Sequence, residues 1–279
     1  MFNVQCSKYK WILPAALLLT IGSCHKVDEN TVEFETLTTD KTITLSNEEQ
    51  SPTCTVSLKL QNATEANGHR GEVINSTVIM QLFNMQDVSM QSAMEQFTEN
   101  YIKHYKHTML PLYNQDRADT TKRAWYEYHY VVSSDAHPGG KGTVTYIANV
   151  DYFEGGAHSV QQTTVFNFQA KSGRLLTLKD VFVEGSEQRL GQILLRALME
   201  KTGLMSTGEL KEKGYLTTGK MFAPQNFIIG DETITFIYNP SEIAPYAVGS
   251  TELVIPYTHI DKLLKNSFAT LNALSLNDK

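Results

Sequence analysis

The sequence predicts an α+β protein, with antiparallel sheets and a few packed helices in two small subdomains that follow a short apolar leader. Three observations carry this. Segments that alternate polar and apolar side chains at period two come in runs, the pattern of half-buried strands. Segments with apolar residues every three or four positions stand apart from those runs, which separates α+β from a strict strand–helix alternation. With 279 residues and 41% hydrophobic content, the chain is long enough to bury two modest cores.

In chain order, the first strand signals are Val32-Glu-Phe34 and Ile43-Thr-Leu45. A longer one follows at Cys54-Thr-Val56-Ser-Leu58-Lys-Leu60, and polar turn material between them favours antiparallel neighbours. Asn67-Gly68 supplies turn chemistry, and Val73, Ile74, Val78 and Leu82 then fit a short helix. A stronger helix opens at Asp87 or Ser89, either of which can cap it, and lays Met90, Met94, Phe97, Tyr101 and Tyr105 along one stripe. Such a stripe is assigned to core packing, and Pro111 is expected to end the helix.

Large aromatics alternate from Trp125 to Val132 as a strand, and Asp135 to Gly140 reads as a turn. Two long strands, 143–150 and 159–168, are joined by 151–158, whose paired glycines allow uncommon backbone angles. Lys171-Ser-Gly173 turns the chain into Leu175–Leu178. A helix from Ser186 to about Lys201 carries Leu190, Ile193, Leu194, Ala197 and Leu198, and Gly203 stops it. Asn226–Ile229 and Thr233–Tyr238 flank Gly230-Asp231 as a hairpin; Leu253-Val-Ile255 adds a strand, and a short helix runs from Tyr257 through Leu264.

The N-terminus combines Lys8 and Lys10 with an apolar run from Trp11 to Ile21, too short to span a bilayer and interrupted by Pro14. That is the layout of a secretory signal. The run ends in Ile21-Gly22-Ser23-Cys24, which resembles the lipobox of bacterial lipoproteins. The resemblance implies a signal peptide over 1–23, cleavage before Cys24 and lipid on its sulfur, with 24–44 as a tether and first strand region. The protein is therefore expected in the bacterial cell envelope, held to a membrane, since several acyl chains anchor far more firmly than one.

Net charge is −6, with no block of like charge, which argues against nucleic acid as a partner. Of three cysteines, Cys6 leaves with the signal and Cys24 is lipidated. Cys54 alone remains, and its place in a strand marks it for core packing rather than nucleophilic chemistry.

Three stretches then carry a family likeness: Glu154-Gly-Gly-Ala-His158, Ser172 to Phe182, and Glu242-Ile-Ala-Pro-Tyr-Ala-Val-Gly249 followed by Leu253-Val-Ile-Pro-Tyr257. In this order they resemble the extracellular region shared by RsiV-type anti-sigma factors and the non-catalytic N-terminal part of PdaC-type deacetylases, whose C-terminal half is a domain of unknown function. The resemblance covers roughly 45–266. It implies a PdaC-like α+β unit over 45–165, an RsiV-like one over 166–266, and a polar tail at 267–279. No segment resembles the sigma-binding part of RsiV, so the likeness implies an envelope-facing module. In RsiV that module binds lysozyme.

Candidate chemistry centres on Asp151, Glu154 and His158 around the glycine turn. A metal site wants three or four ligands in defined geometry, and sequence offers only this local trio, so no metal or cofactor is expected. In the simpler reading Gly155 and Gly156 shape the turn and His158 pins it through a backbone carbonyl. As a recognition surface the turn is more plausible, because loops on rigid strands carry binding function. Tyr152, Glu154, Gly155, Gly156, His158, Glu242 and Tyr246 are the candidate binding residues, with Tyr152 and Tyr246 as an aromatic platform. His104 and His107, three apart on the long helix, read as a solvated face.

The expected function is a non-enzymatic, lipid-anchored envelope binding module, with a lysozyme-like protein or cell-wall peptidoglycan as partner. The rivals are a metal-assisted hydrolase or deacetylase acting on wall polymer, and a structural envelope lipoprotein.

Overall fold

A computed structural model describes residues 31–217 and 219–268. The signal peptide, Cys24 and most of the tether expected from the sequence lie outside the described residues, as does nearly all of the expected tail. The architecture is α+β, with one six-stranded and one three-stranded open sheet.

The six-stranded sheet follows chain order. Strand β1 (Phe34–Thr44) merges the two short strand signals into one segment and pairs antiparallel along its whole length with β2 (Thr53–Ala63). In β2, Cys54, Val56, Leu58 and Leu60 are all buried, as period-two alternation requires. Two helices then cross over the sheet: α1 (His69–Phe83), ended by the left-handed Asn84, and α2 (Met90–Asp116), whose first turn is capped by the Ser89 hydroxyl accepting from the Ser92 amide. This long crossover lets β3 (Tyr128–Pro138) lie parallel to β2, with Cys54 opposite Tyr128. The sheet is thus mixed, and only this step departs from the antiparallel expectation. β4 (Thr143–Glu154), β5 (Val160–Gln169) and the short β6 (Leu175–Leu176) continue it antiparallel.

Helix α2 does not stop at Pro111. A proline inside a helix forfeits one backbone bond and costs about 3 kcal/mol. Here the last turn is held from outside. Tyr113 is buried and donates to Glu48 at 3.1 Å, Arg117 pairs with Glu48, and Asp116 accepts from Lys122 at 2.7 Å and Tyr126 at 2.9 Å. Trp125, expected to start a strand, sits instead in the 3-10 turn Thr120–Tyr126 and is exposed. The turn expected at 135–140 is mostly strand, because β3 runs to Pro138 and the reversal falls at 139–142.

The second unit packs α3 (Leu178–Val181), α4 (Glu187–Thr202) and α5 (Thr207–Glu212) with a sheet of β7 (Phe227–Ile229), β8 (Thr233–Tyr238) and β9 (Thr251–Pro256), followed by α6 (Tyr257–Ile260). Leu190, Leu194 and Leu198 form the buried stripe of α4, and Gly203 closes it at φ 70°. Helix α5 carried no signal in the sequence reading. The two apolar clusters are distinct: one spans Leu45 to Ala170, the other Leu176 to Phe268. The position expected as a boundary, 165/166, lies within β5, and the first cluster takes in Phe166 and Phe168 of that strand and Ala170 just after it.

The units meet along the free edge of β5. Beyond its short pairing with β6, β5 has unpaired backbone groups, and asparagine side chains of the second unit take them up. Asn239 accepts from the Thr163 amide at 2.7 Å, Asn226 accepts from the Val165 amide at 3.0 Å, and both donate to the Thr163 carbonyl. In the reverse sense, buried Asn167 donates to the Phe227 carbonyl at 2.6 Å and accepts from the Ile229 amide at 3.2 Å. An exposed strand edge, an aggregation liability, is thereby covered. Gly140 lies so close to the β7–β8 turn that a Cβ on it would sit 2.1 Å from the Gly230 carbonyl.

Candidate functional site

Strand β4 runs through Glu154, so Asp151, Tyr152 and Glu154 are strand residues, and the turn proper is 155–159. Gly155 (φ 80°) and Gly156 (φ 114°) occupy backbone regions that side chains disfavour. His158 stacks on Tyr246 with ring centroids 4.0 Å apart and planes 19° off parallel. The Ser159 carbonyl accepts from both partners, from His158 Nδ1 at 3.0 Å and from the Tyr246 hydroxyl at 2.8 Å. The bond to a carbonyl requires the proton on Nδ1. The turn of the first unit is thus clamped to the 246–248 turn of the second.

Alternation along β4 separates the two carboxylates. Asp151 points to the outer face of the sheet, where its carboxylate receives His129 Nε2 at 2.8 Å and Gln161 at 3.0 Å. The His129 bond holds Asp151 below the usual carboxylate range. Glu154 points to the helix-covered face and accepts from Tyr101 of α2 at 2.9 Å. His158 is engaged with Tyr246. The three therefore do not converge, and no group of three or more His, Cys, Asp or Glu among the described residues could hold a metal ion.

The aromatic platform is arranged differently from the expectation. Tyr246 pairs with His158, whereas Tyr152 stacks on Tyr130 at 5.6 Å in a seam with Phe97 and Tyr101. Glu242 accepts from the Asn239 amide at 2.8 Å and shapes the turn whose asparagine bridges the units. His104 and His107 lie on the exposed face of α2. Cys54 is fully buried and unpaired; burial first, then the Glu154 charge, pushes its thiol up to about 12, which keeps it protonated.

Next to the clamp is a cleft that the sequence reading missed. About 250 Å³ in volume, it lies on the outer face of β3–β5, lined by Val131, Ser133, Asn149, Asp151, Gln161 and Thr163 and overhung by Ser250. His129 stacks on Phe153 at 6.1 Å on the same face. The signal was present, since these side chains alternate with core residues in all three strands. Recognising it required the register that sets Asp151 opposite both Val131 and Gln161.

The fold and site define a two-unit α+β protein with a polar surface cleft on the outer face of its larger sheet. Residues 179–258 match the family described as "Protein of unknown function (DUF3298)". Over 200 residues, 71% of this chain, the sequence is 22% identical to the peptidoglycan-N-acetylmuramic acid deacetylase PdaC of Bacillus subtilis, of which it spans 40%. A crystal structure of a DUF3298 family member from Bacteroides fragilis NCTC 9343 is 26% identical with a TM-score of 0.80, covering 88% of this chain and 100% of that one. A DUF3298 family protein from Pseudomonas aeruginosa PAO1, 15% identical with a TM-score of 0.58 over 86% of this chain and 98% of that one, shares the fold. The chain carries a domain of the PdaC- and DUF3298-like kind.

Proposed function

We propose that this protein is a lipid-anchored, non-enzymatic binding module of the bacterial envelope, and that its ligand is a cell-wall glycan. The observation that carries this reading is the cleft on the outer face of β3–β5. Carboxylate and amide groups of Asp151, Asn149 and Gln161 stand beside the His129–Phe153 ring pair. Sugars present hydroxyl edges and apolar faces, and such a mixture of polar and aromatic groups suits both. The name of the Bacillus relative, a deacetylase of peptidoglycan, supports a wall polymer as ligand. The Ile21-Gly22-Ser23-Cys24 segment supports the anchor, and no helix among the described residues is long and apolar enough to cross a membrane.

Capture on purified peptidoglycan tests the reading. Residues 25–279 should sediment with it, and Asp151→Ala with Gln161→Ala should weaken retention about tenfold or more. Retention unchanged in the double variant would remove the cleft from the argument, and capture of lysozyme in its place would favour a protein ligand. The name of the same relative also favours a deacetylase or hydrolase. Under that second reading, wall-polymer turnover is chelator-sensitive and falls by a hundredfold or more in His158→Ala, the order expected when a general base is lost. For the anchor, Cys24→Ala should abolish incorporation of labelled fatty acid; normal labelling would refute the lipobox.

A further inference from the structure

The second unit contains a larger cavity, of about 1310 Å³, between α3, the first half of α4 and the segment 219–225. That exceeds the roughly 300–1,000 Å³ of ordinary ligand pockets. Its apolar wall is formed by Phe182, Val183, Leu190, Leu195, Met221 and Phe222. Two of these are left open to solvent, Val183 at 37% and Phe222 at 45% exposure. Helix α4 and the 219–225 segment approach closely at one point, since a Cβ on Gly191 would lie 2.9 Å from the Met221 carbonyl.

Charge around this cavity is unbalanced. Lys179, Lys211, Lys220 and Lys265 all border it, against Glu184 and Glu187. The chain as a whole has the opposite bias, at −6. Among the described residues none of the four lysines takes part in an ion pair. A lysine lays its methylene stem along an apolar surface and keeps its ammonium in water, so these side chains present cations around the rim of a greasy trough. We propose that the cavity binds a single-chain amphiphile with an anionic head, a long-chain fatty-acid carboxylate, with the chain along Phe182, Leu195 and Phe222 and the carboxylate among the lysines. A sugar would leave the apolar wall unused, and a neutral chain would leave the lysines unanswered. This site is distinct from the polar cleft and does not depend on it.

The test uses residues 25–279, since both cores lie within 31–268. Binding of cis-parinaric acid, a fluorescent 18-carbon carboxylate, should be saturable and displaced by saturated fatty acids below their micelle concentrations. Affinity should rise about three- to fourfold per added methylene until the cavity is filled. The matching fatty alcohol should bind at least tenfold more weakly. Lys179→Gln/Lys211→Gln/Lys220→Gln should close that gap and keep the wild-type melting curve. Phe222→Glu should reduce binding of acid and alcohol alike while staying folded at the assay temperature, although its ring also packs edge-on against Tyr238. Absence of saturable binding overturns the proposal. So do equal affinities for acid and alcohol, or full binding by Phe222→Glu. A tenfold gain on deleting 269–279 would also overturn it, by making that segment the occupant.

Discussion

Asn167→Leu isolates the bridge between the two units. The asparagine is 1% exposed, and its amide satisfies the Phe227 carbonyl at 2.6 Å and the Ile229 amide at 3.2 Å. Leucine has nearly the same shape and can make neither bond. Each of the two stranded buried groups costs about 1–3 kcal/mol, and the leucine's extra apolar burial offsets about 1–2, which leaves a net loss of roughly 1–4 kcal/mol. Asn167→Asp should do worse at neutral pH, because an ionised carboxylate cannot donate to the Phe227 carbonyl. Its pKa is then raised in the folded state, so that variant should regain stability as pH falls and the acid takes up a proton. Urea unfolding of residues 25–279 measures both effects. Trp125, the one tryptophan left after residue 24, reports the first unit through fluorescence, while far-ultraviolet dichroism includes α4 of the second. In the wild type the two signals should coincide; in Asn167→Leu they should separate as the bridge weakens. A loss under 0.5 kcal/mol with coincident transitions would refute the claim that this side chain couples the units.

The remaining predictions concern single residues. Gly140→Ala should destabilise by about 3–5 kcal/mol, because its methyl would overlap the Gly230 backbone at 2.1 Å, and an unchanged urea midpoint would contradict that close approach. Cys54 should react with a thiol reagent at pH 8 on the order of a hundredfold more slowly in the folded chain than in urea; prompt labelling of folded protein would disprove its burial. Asp151 has a pKa depressed mainly by the His129 bond, so its contribution is present above about pH 4, the unfolded value, and disappears as pH falls through the lower folded value. Asp151→Asn should therefore be less stable than wild type above pH 4, by under about 1 kcal/mol for so exposed a pair, with the gap closing in acid; a gap that persists at pH 2 would refute the assignment.

Local chemistry in the sequence determined a good deal. Alternation marked β2 because it buries one face, residue by residue in Cys54-Thr-Val56-Ser-Leu58, while β4, β5 and β8 were marked by their apolar, β-branched and aromatic residues although each also buries part of its second face. The stripe from Met90 to Tyr105 marked α2, and Ser89 and Gly203 marked helix ends, because capping and left-handed termini depend on a few adjacent residues. The three quoted stretches carried the likeness to PdaC, which the sequence comparison finds.

Tertiary structure decided the rest, wherever the deciding partner is remote in sequence. Helix α2 passes Pro111 because Glu48, Lys122 and Tyr126 hold its end, and a propensity argument contains none of them. β3 joins β2 in parallel because α1 and α2 carry the chain back across the sheet. Asp151 and Glu154 sit three apart in sequence yet on opposite faces, one with His129 and the other with Tyr101, because β4 extends through both. His158 finds Tyr246 only because asparagines of the second unit close the free edge of β5. Sequence spacing determines which face a side chain shares; which remote group meets it there is set by how the two units dock.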